Sequence, residues 1–304
     1  MRTLLHWPMS DTLCVLGLDA ADYRLANRWG CENMLLENHG ELESLTHSLD
    51  VPATLEVWPT IATGLSPTEH GVELDGVGWD NATGLRAVVR AVQLLPEPLH
   101  EHLADLKAQL LDGGYPRTDE STVFDDGTVR NWPGVTPCYV WEREGEWFER
   151  ATDGDLSADE FVRRYFGTTG SCFGWLAGQS LSSVPIVGIH AHVLDHTGHM
   201  YARRPTALRR IYERVDSLLG WLRSRVDRLV VLSDHGMQTT ATNDPDPGVH
   251  SDHALIATTE SGPLPTDVLS VRDWLEDRID AGRPERTNAT VDAPREHLED
   301  LGYL

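Results

Sequence analysis

The chain has 304 residues, 40% of them hydrophobic, enough to bury one large core, and 48 acidic against 25 basic residues give a formal net charge of −23. No stretch approaches the ~18–20 uninterrupted apolar residues of a membrane span, and the opening "MRTLLHWPMSD" lacks the apolar core of a signal peptide, so a soluble cytoplasmic protein without a membrane partner is expected. Lys107 is the single lysine, so no basic stripe exists to bind a nucleic acid polymer, and the acidic surface suits a halophilic protein whose self-repulsion is screened where the Debye length is ~3 Å.

In chain order, "TLCVLGLDA" (residues 12–20) is a short apolar run ending in an acid, which predicts a strand, and "ADYRLANRWGCENMLLEN" (21–38) predicts a helix. A helix starts at Thr54 in "TLEVWPTIATG" and leaves through "TGLSPTEHG", where Glu69 and His70 have structural roles. From Asp75 to about Asp155 the rhythm changes. Residues 76–155 are expected to form an insertion or cap within a single domain spanning 1–304, with a helical piece at 95–114 and a hairpin at "CYVWEREGEWFER" (138–150). Trp79, Trp132, Trp141 and Trp147 of this segment are assigned to packing.

Further strands are predicted at "PIVGIHAHVLD" (185–195) and "DRLVVLSDHGM" (227–237). Between them, Leu208, Ile211, Val215, Leu218, Leu219 and Leu222 recur at helical spacing. "HALIATT" and "LSVRDWLEDRI" repeat strand and helix. The pattern predicts an α/β fold, a mostly parallel central sheet with helices on both faces. Cys14, Cys31, Cys138 and Cys172 form no CxxC pair and are expected to be free packing thiols.

Ligands of open α/β sheets bind beyond the carboxyl ends of the strands, and here those ends carry Asp19, Asp195, Asp234 and His235. Asp195 and His199 in "DHTGH" are four apart, one helical turn, which lets both reach a single ion. A further histidine comes from "GVHSDHAL", either His250 or His253. Mixed imidazole and carboxylate donors suit zinc or manganese better than magnesium or calcium. Thr54, after Pro52 and at a helix start, is a candidate nucleophile, because a cation acidifies a bound hydroxyl and the positive helix end favours an anion such as a phosphoryl group. His190 and His192 alternate on the strand before Asp195 and are expected to pack or hydrogen-bond, or to support the ligands from behind.

The ordered set "GLDAAD", "PATLEVWPTIATGLSPTEHGV", "DHTGH", "SDHGM", "GVHSDHALIA" and the terminal "LEDLGYL" resembles the alkaline phosphatase superfamily, in its type I phosphodiesterase and nucleotide pyrophosphatase branch. The resemblance implies two divalent metal ions: Asp195, His199 and His250 would hold one, and Asp19, Asp234, His235 and Thr54 the other. It also implies turnover of a small phosphoester through a phosphothreonine. Asp75 stands where some members carry an asparagine that helps bind a phosphate oxygen, and an acid there repels a phosphate dianion unless it is protonated, paired or turned away. Sulfatases of the superfamily use a C/S-x-P-x-R motif that "TLEVW" lacks. The same core serves phosphomonoesterases and phosphotransferases, and a metal-stabilised binding protein is the non-enzymatic alternative.

Overall fold

Leu13–Leu18 (β1) is apolar on both sides, and this decides the architecture. In the computed structural model, which describes residues 11–74, 115–138, 140–179 and 184–281, Leu13 and Val15 join one buried cluster with Val57, Trp58 and Ile61. Cys14, Leu16 and Leu18 join another with Leu25, Phe173 and Leu219. Each such side chain is stabilised by ~1.5–3 kcal/mol on burial, so a strand of this kind must be covered on both faces. Helices Thr54–Thr63 and Val271–Ala281 cover the first face. Tyr23–Trp29, Ala158–Gln179 and Pro205–Arg223 cover the second.

The other strands of the main sheet are Asn38–Glu43 (β2), Thr128–Arg130 (β3), Ile186–Ala191 (β4), Leu229–Leu232 (β5) and His253–Thr258 (β8), and the sheet order is β2-β8-β5-β1-β4-β3. Gly236–Met237 (β6) and His250–Ser251 (β7) pair separately. β3, β4, β1 and β5 run parallel to one another, whereas β8 is antiparallel to both β5 and β2. The α/β expectation of a mostly parallel, doubly covered sheet is met. β3 lies in the segment read as an insertion, so part of that segment completes the edge of the main sheet.

Two expectations are corrected. "CYVWEREGEWFER" is not a hairpin: Trp141–Thr152 is a helix, and Trp141, Glu144 and Phe148 recur at the i, i+3, i+7 spacing of one helical face. The helix expected over 21–38 is broken at Gly30, whose φ of 66° is left-handed and whose N–H returns to Ala26 and Asn27, so the chain restarts as Glu32–Leu35 and then turns into β2. The helical piece at 95–114, Asp75, Trp79 and "LEDLGYL" lie outside the described residues. Trp132 packs in the core, edge-on to Trp58 at 4.8 Å. Among the described residues no helix is long and apolar enough to cross a membrane.

Candidate metal centre

Strand register assembles the site. Leu18 pairs with Ala191 and Gly17 with Leu232, so the residues that follow, Asp19, His192 and Asp234, leave three adjacent parallel strands at the same edge. Helix Val193–Tyr201 starts there and puts Asp195 and His199 on one side, with Asp195 Oδ1 3.3 Å from His199 Nε2. His250, on β7, brings its Nε2 to 3.3 Å from the same oxygen and 3.2 Å from His199 Nε2. On the other side, His235 Nε2 lies 3.4 Å from Asp19 Oδ1, 3.3 Å from Asp234 Oδ2 and 3.2 Å from Thr54 Oγ1. The two groups adjoin through the stacked rings of His235 and His250, 3.7 Å between centroids. All seven residues singled out in the sequence thus meet at one edge of the sheet. His253 does not: it is paired with Glu41 at the surface.

Tautomers follow from the carbonyls behind the rings. His199 Nδ1 donates to Gly248 O, His250 Nδ1 to Pro52 O and His235 Nδ1 to Gly236 O. A carbonyl only accepts, so each Nδ1 carries hydrogen and, in the neutral ring that binds a metal, each Nε2 presents a lone pair to the cluster. Asp19 Oδ1, Asp195 Oδ1 and Asp234 Oδ2 are buried without a hydrogen-bond partner. The separations of 3.2–3.4 Å between these atoms match the ~3.3 Å expected between donors that share a tetrahedral ion at ~2.0–2.1 Å. Buried lone pairs and orphaned carboxylate oxygens converging at this spacing fit divalent cations, and little else satisfies them.

The electrostatics agree. Burial pushes Asp19 well above the usual carboxylate range, and the neighbouring Asp234 charge adds to it. Asp234 is pushed up to about 6, by burial first, with His250 opposing the rise. Burial opposes ionisation of Asp195 too, but with no cation bound a proton on His199 and the hydrogen bond from His192 hold it well below that range. Burial holds His235 well below its ordinary value and hence neutral, the form that binds a metal.

Thr54 is the first residue of the helix Thr54–Thr63, entered from an extended Ala53 with no side chain capping the end. The first-turn N–H groups of Thr54 and Leu55 have no intrahelical acceptor and point, with the positive end of the helix, past the hydroxyl. The helix is fixed from behind by Glu56, which accepts from the backbone of Ser48 and Leu74, and by His70, bonded to Thr60 Oγ1 and Glu56 O.

The family model described as "Type I phosphodiesterase / nucleotide pyrophosphatase" matches residues 13–301. The chain belongs to this family. Members hydrolyse phosphodiesters, and the protein is a phosphodiester-hydrolysing enzyme. Solved structures similar to this phosphodiesterase include human ectonucleotide pyrophosphatase / phosphodiesterase 5, with 11% identity over 95% of this chain and 99% of that one and a TM-score of 0.46. The murine form has 11% identity, the same two coverages of 95% and 99%, and a TM-score of 0.43. The alkaline phosphatase of the Antarctic bacterium TAB5 has 11% identity over 90% of this chain and 99% of that one, with a TM-score of 0.44. No curated protein matches the phosphodiesterase by sequence.

Sequence reasoning missed several residues around the centre. Glu144, buried on the helix Trp141–Thr152, faces His192, and the Tyr165 hydroxyl bonds His196. His192, Asp195 and His196 form a third close group of donor atoms. The first histidine of "DHTGH" was a usable signal for His196. Glu144 was hidden inside the segment misread as a hairpin.

Proposed function

We propose that the protein is a two-metal phosphodiesterase of the nucleotide pyrophosphatase type, with Thr54 as nucleophile. Asp195, His199 and His250 hold one divalent cation, and Asp19, Asp234, His235 and Thr54 hold the other. Zinc suits the imidazole and carboxylate donors best, with manganese next. The observation that carries the reading is the convergence of Thr54 Oγ1 on His235 Nε2 at 3.2 Å, at the uncapped start of a helix and beside the orphaned oxygens of Asp19 and Asp234.

Bound cations supply Lewis-acid charge to the attacking and leaving oxygens of an in-line displacement. The chain's own groups do the rest. Thr54 Oγ releases its proton to solvent and attacks phosphorus, the ester oxygen departs with its electron pair and takes up a proton from solvent, and the first-turn N–H groups of the helix stabilise charge on the phosphoryl oxygens. Water then attacks the phosphothreonine, the bond from phosphorus to Thr54 Oγ breaks, and the hydroxyl is restored. His235, locked by Gly236 O, keeps its Nε2 directed at the nucleophile throughout. The substrate is a small phosphoester, and the charge of −23 with a single lysine supports a salt-rich cytoplasmic setting.

A panel of nitrophenyl phosphodiester, phosphomonoester and sulfate ester, assayed with zinc-reconstituted protein in molar salt, tests the reading. The diester is expected to turn over fastest. Faster turnover of the monoester would assign a phosphomonoesterase instead, and turnover of the sulfate alone would overturn the phosphoryl-transfer reading.

A further inference from the structure

His190 and His192 alternate at the end of β4 and its exit, and each takes the same oxygen of a different aspartate. His190 Nε2 donates to Asp19 Oδ2 at 2.9 Å, and His192 Nε2 donates to Asp195 Oδ2 at 3.2 Å. His192 Nε2 is also 3.6 Å from Asp19 Oδ2. In both aspartates Oδ2 is therefore held by an imidazole while Oδ1 is left turned into the cluster without a partner. A carboxylate fixed through one oxygen has the direction of its other oxygen fixed as well.

The two histidines differ in what stands behind them. His192 Nδ1 faces Glu144 Oε2 at 3.7 Å, and both atoms are buried with no hydrogen bond to any other group, so the remaining partner of each is the other. Glu144 is only 3% exposed, and its Oε1 accepts from Thr168 Oγ1 at 3.0 Å, which fixes the carboxylate plane. The same face of the helix Trp141–Thr152 lays Trp141 flat on His192, with ring centroids 5.3 Å apart and planes 18° apart, and Phe148 flat on His196 at 4.7 Å. Phe148 also meets His199 edge-on at 6.4 Å, and Trp141 approaches His190 at 6.1 Å. The helix thus leans chiefly on the segment that carries Asp195 and His199.

We propose that Glu144 and His192 form a positioning pair for Asp195, through which the helix Trp141–Thr152 sets the cation affinity of the group Asp195, His199 and His250, while leaving the group Asp19, Asp234, His235 and Thr54 largely untouched. The inference rests on the two-cation reading above. Neither residue touches the reacting atoms, so each acts through the direction of Asp195 Oδ1.

Calorimetric titration of the metal-stripped full-length protein with zinc tests the pair directly. Wild type is expected to take up two ions with separable affinities. His192→Ala is expected to weaken one of them by about 10–100-fold, the usual effect of removing a group that supports a metal ligand, and to change the other by less than about threefold. In an Asp195→Ala background, His192→Ala should have no further effect on zinc affinity, because the ligand it positions is gone. His192→Gln should recover part of the loss, since its amide N–H still reaches Asp195. Glu144→Gln should weaken the same ion by a smaller factor, and it serves as the deciding variant if circular dichroism shows that His192→Ala has not folded. The proposal is overturned if Glu144→Gln and the folded His192 variants leave both affinities unchanged, or lower the two equally. A wild-type protein that takes up no zinc overturns the two-cation reading and this inference with it.

Discussion

His199 and His250 present their Nε2 atoms to one another at 3.2 Å, each with its Nδ1 already given to a backbone carbonyl. Two Nε2 atoms this close need a proton or a metal cation between them, and Asp195 Oδ1, 3.3 Å from both, completes a set of donors that a metal cation fits. Elemental analysis of folded protein is therefore expected to give close to two zinc or manganese ions per chain. His250→Ala should lose one and reduce turnover at least ~10-fold, whereas His253→Ala, altered at the surface pair with Glu41, should keep both. Equal losses in the two variants would disprove the assignment of His250.

The net charge of −23 predicts a fold that is weak in dilute buffer, because unscreened carboxylates repel over the whole surface. The melting temperature measured from low to molar potassium chloride should rise. A flat profile would mean that the acidity has no part in stability.

Gly17 illustrates how closely the central strand is packed beneath the site. A Cβ at this position would lie 2.9 Å from Trp58 Cη2 and 3.3 Å from Trp132 Cζ3, and the Trp58 ring packs against His190. Gly17→Ala is expected to cost about 1–3 kcal/mol in chemical denaturation, the usual penalty for overpacking a rigid core. A variant as stable as wild type would show that the rings can move aside.

His70 is held below its ordinary value of 6.5, by burial above all, while its bonds to Glu56 and the backbone oppose the shift. A base with a depressed folded value binds fewer protons folded than unfolded. Its stabilising contribution is complete above 6.5 and declines as pH falls from there through the folded value. The difference in unfolding free energy between wild type and His70→Gln should accordingly shrink between pH 7 and pH 5. A difference that is constant or grows on acidification would contradict this. At the upper pH the variant should be less stable by ~1–2 kcal/mol, because the Thr60 hydroxyl loses one of its two buried partners and keeps only Glu56 O.

The legible parts of the molecule were those fixed by local pattern. β1, β4 and β5 are apolar runs that each lead into an Asp or His, so both the sheet and the edge where the donors meet could be read from the chain. β2 escaped because "NHGELE" is an edge strand with one fully buried side chain, Leu42, and so carries almost no apolar signal. The helix Trp141–Thr152 was misread because its aromatics favour strands, whereas tertiary packing on Tyr165, His192 and His196 selects the 3.6-residue period. That error concealed Glu144. Its pairing with His192 joins two segments far apart in sequence, and no local pattern announces such a contact.

The central claim is that Thr54 attacks phosphorus. Thr54→Ala should retain the fold and lose turnover by about 10³-fold or more, ~4 kcal/mol of barrier, while Thr54→Ser keeps part of the rate because the attacking oxygen survives. The most direct measurement is mass spectrometry of wild-type enzyme quenched in acid during turnover of a phosphodiester. The account predicts a covalent phosphoryl adduct on the peptide containing Thr54, absent from Thr54→Ala. An alanine variant that turns the diester over at the wild-type rate, with no adduct on either protein, would contradict it and leave water as the nucleophile.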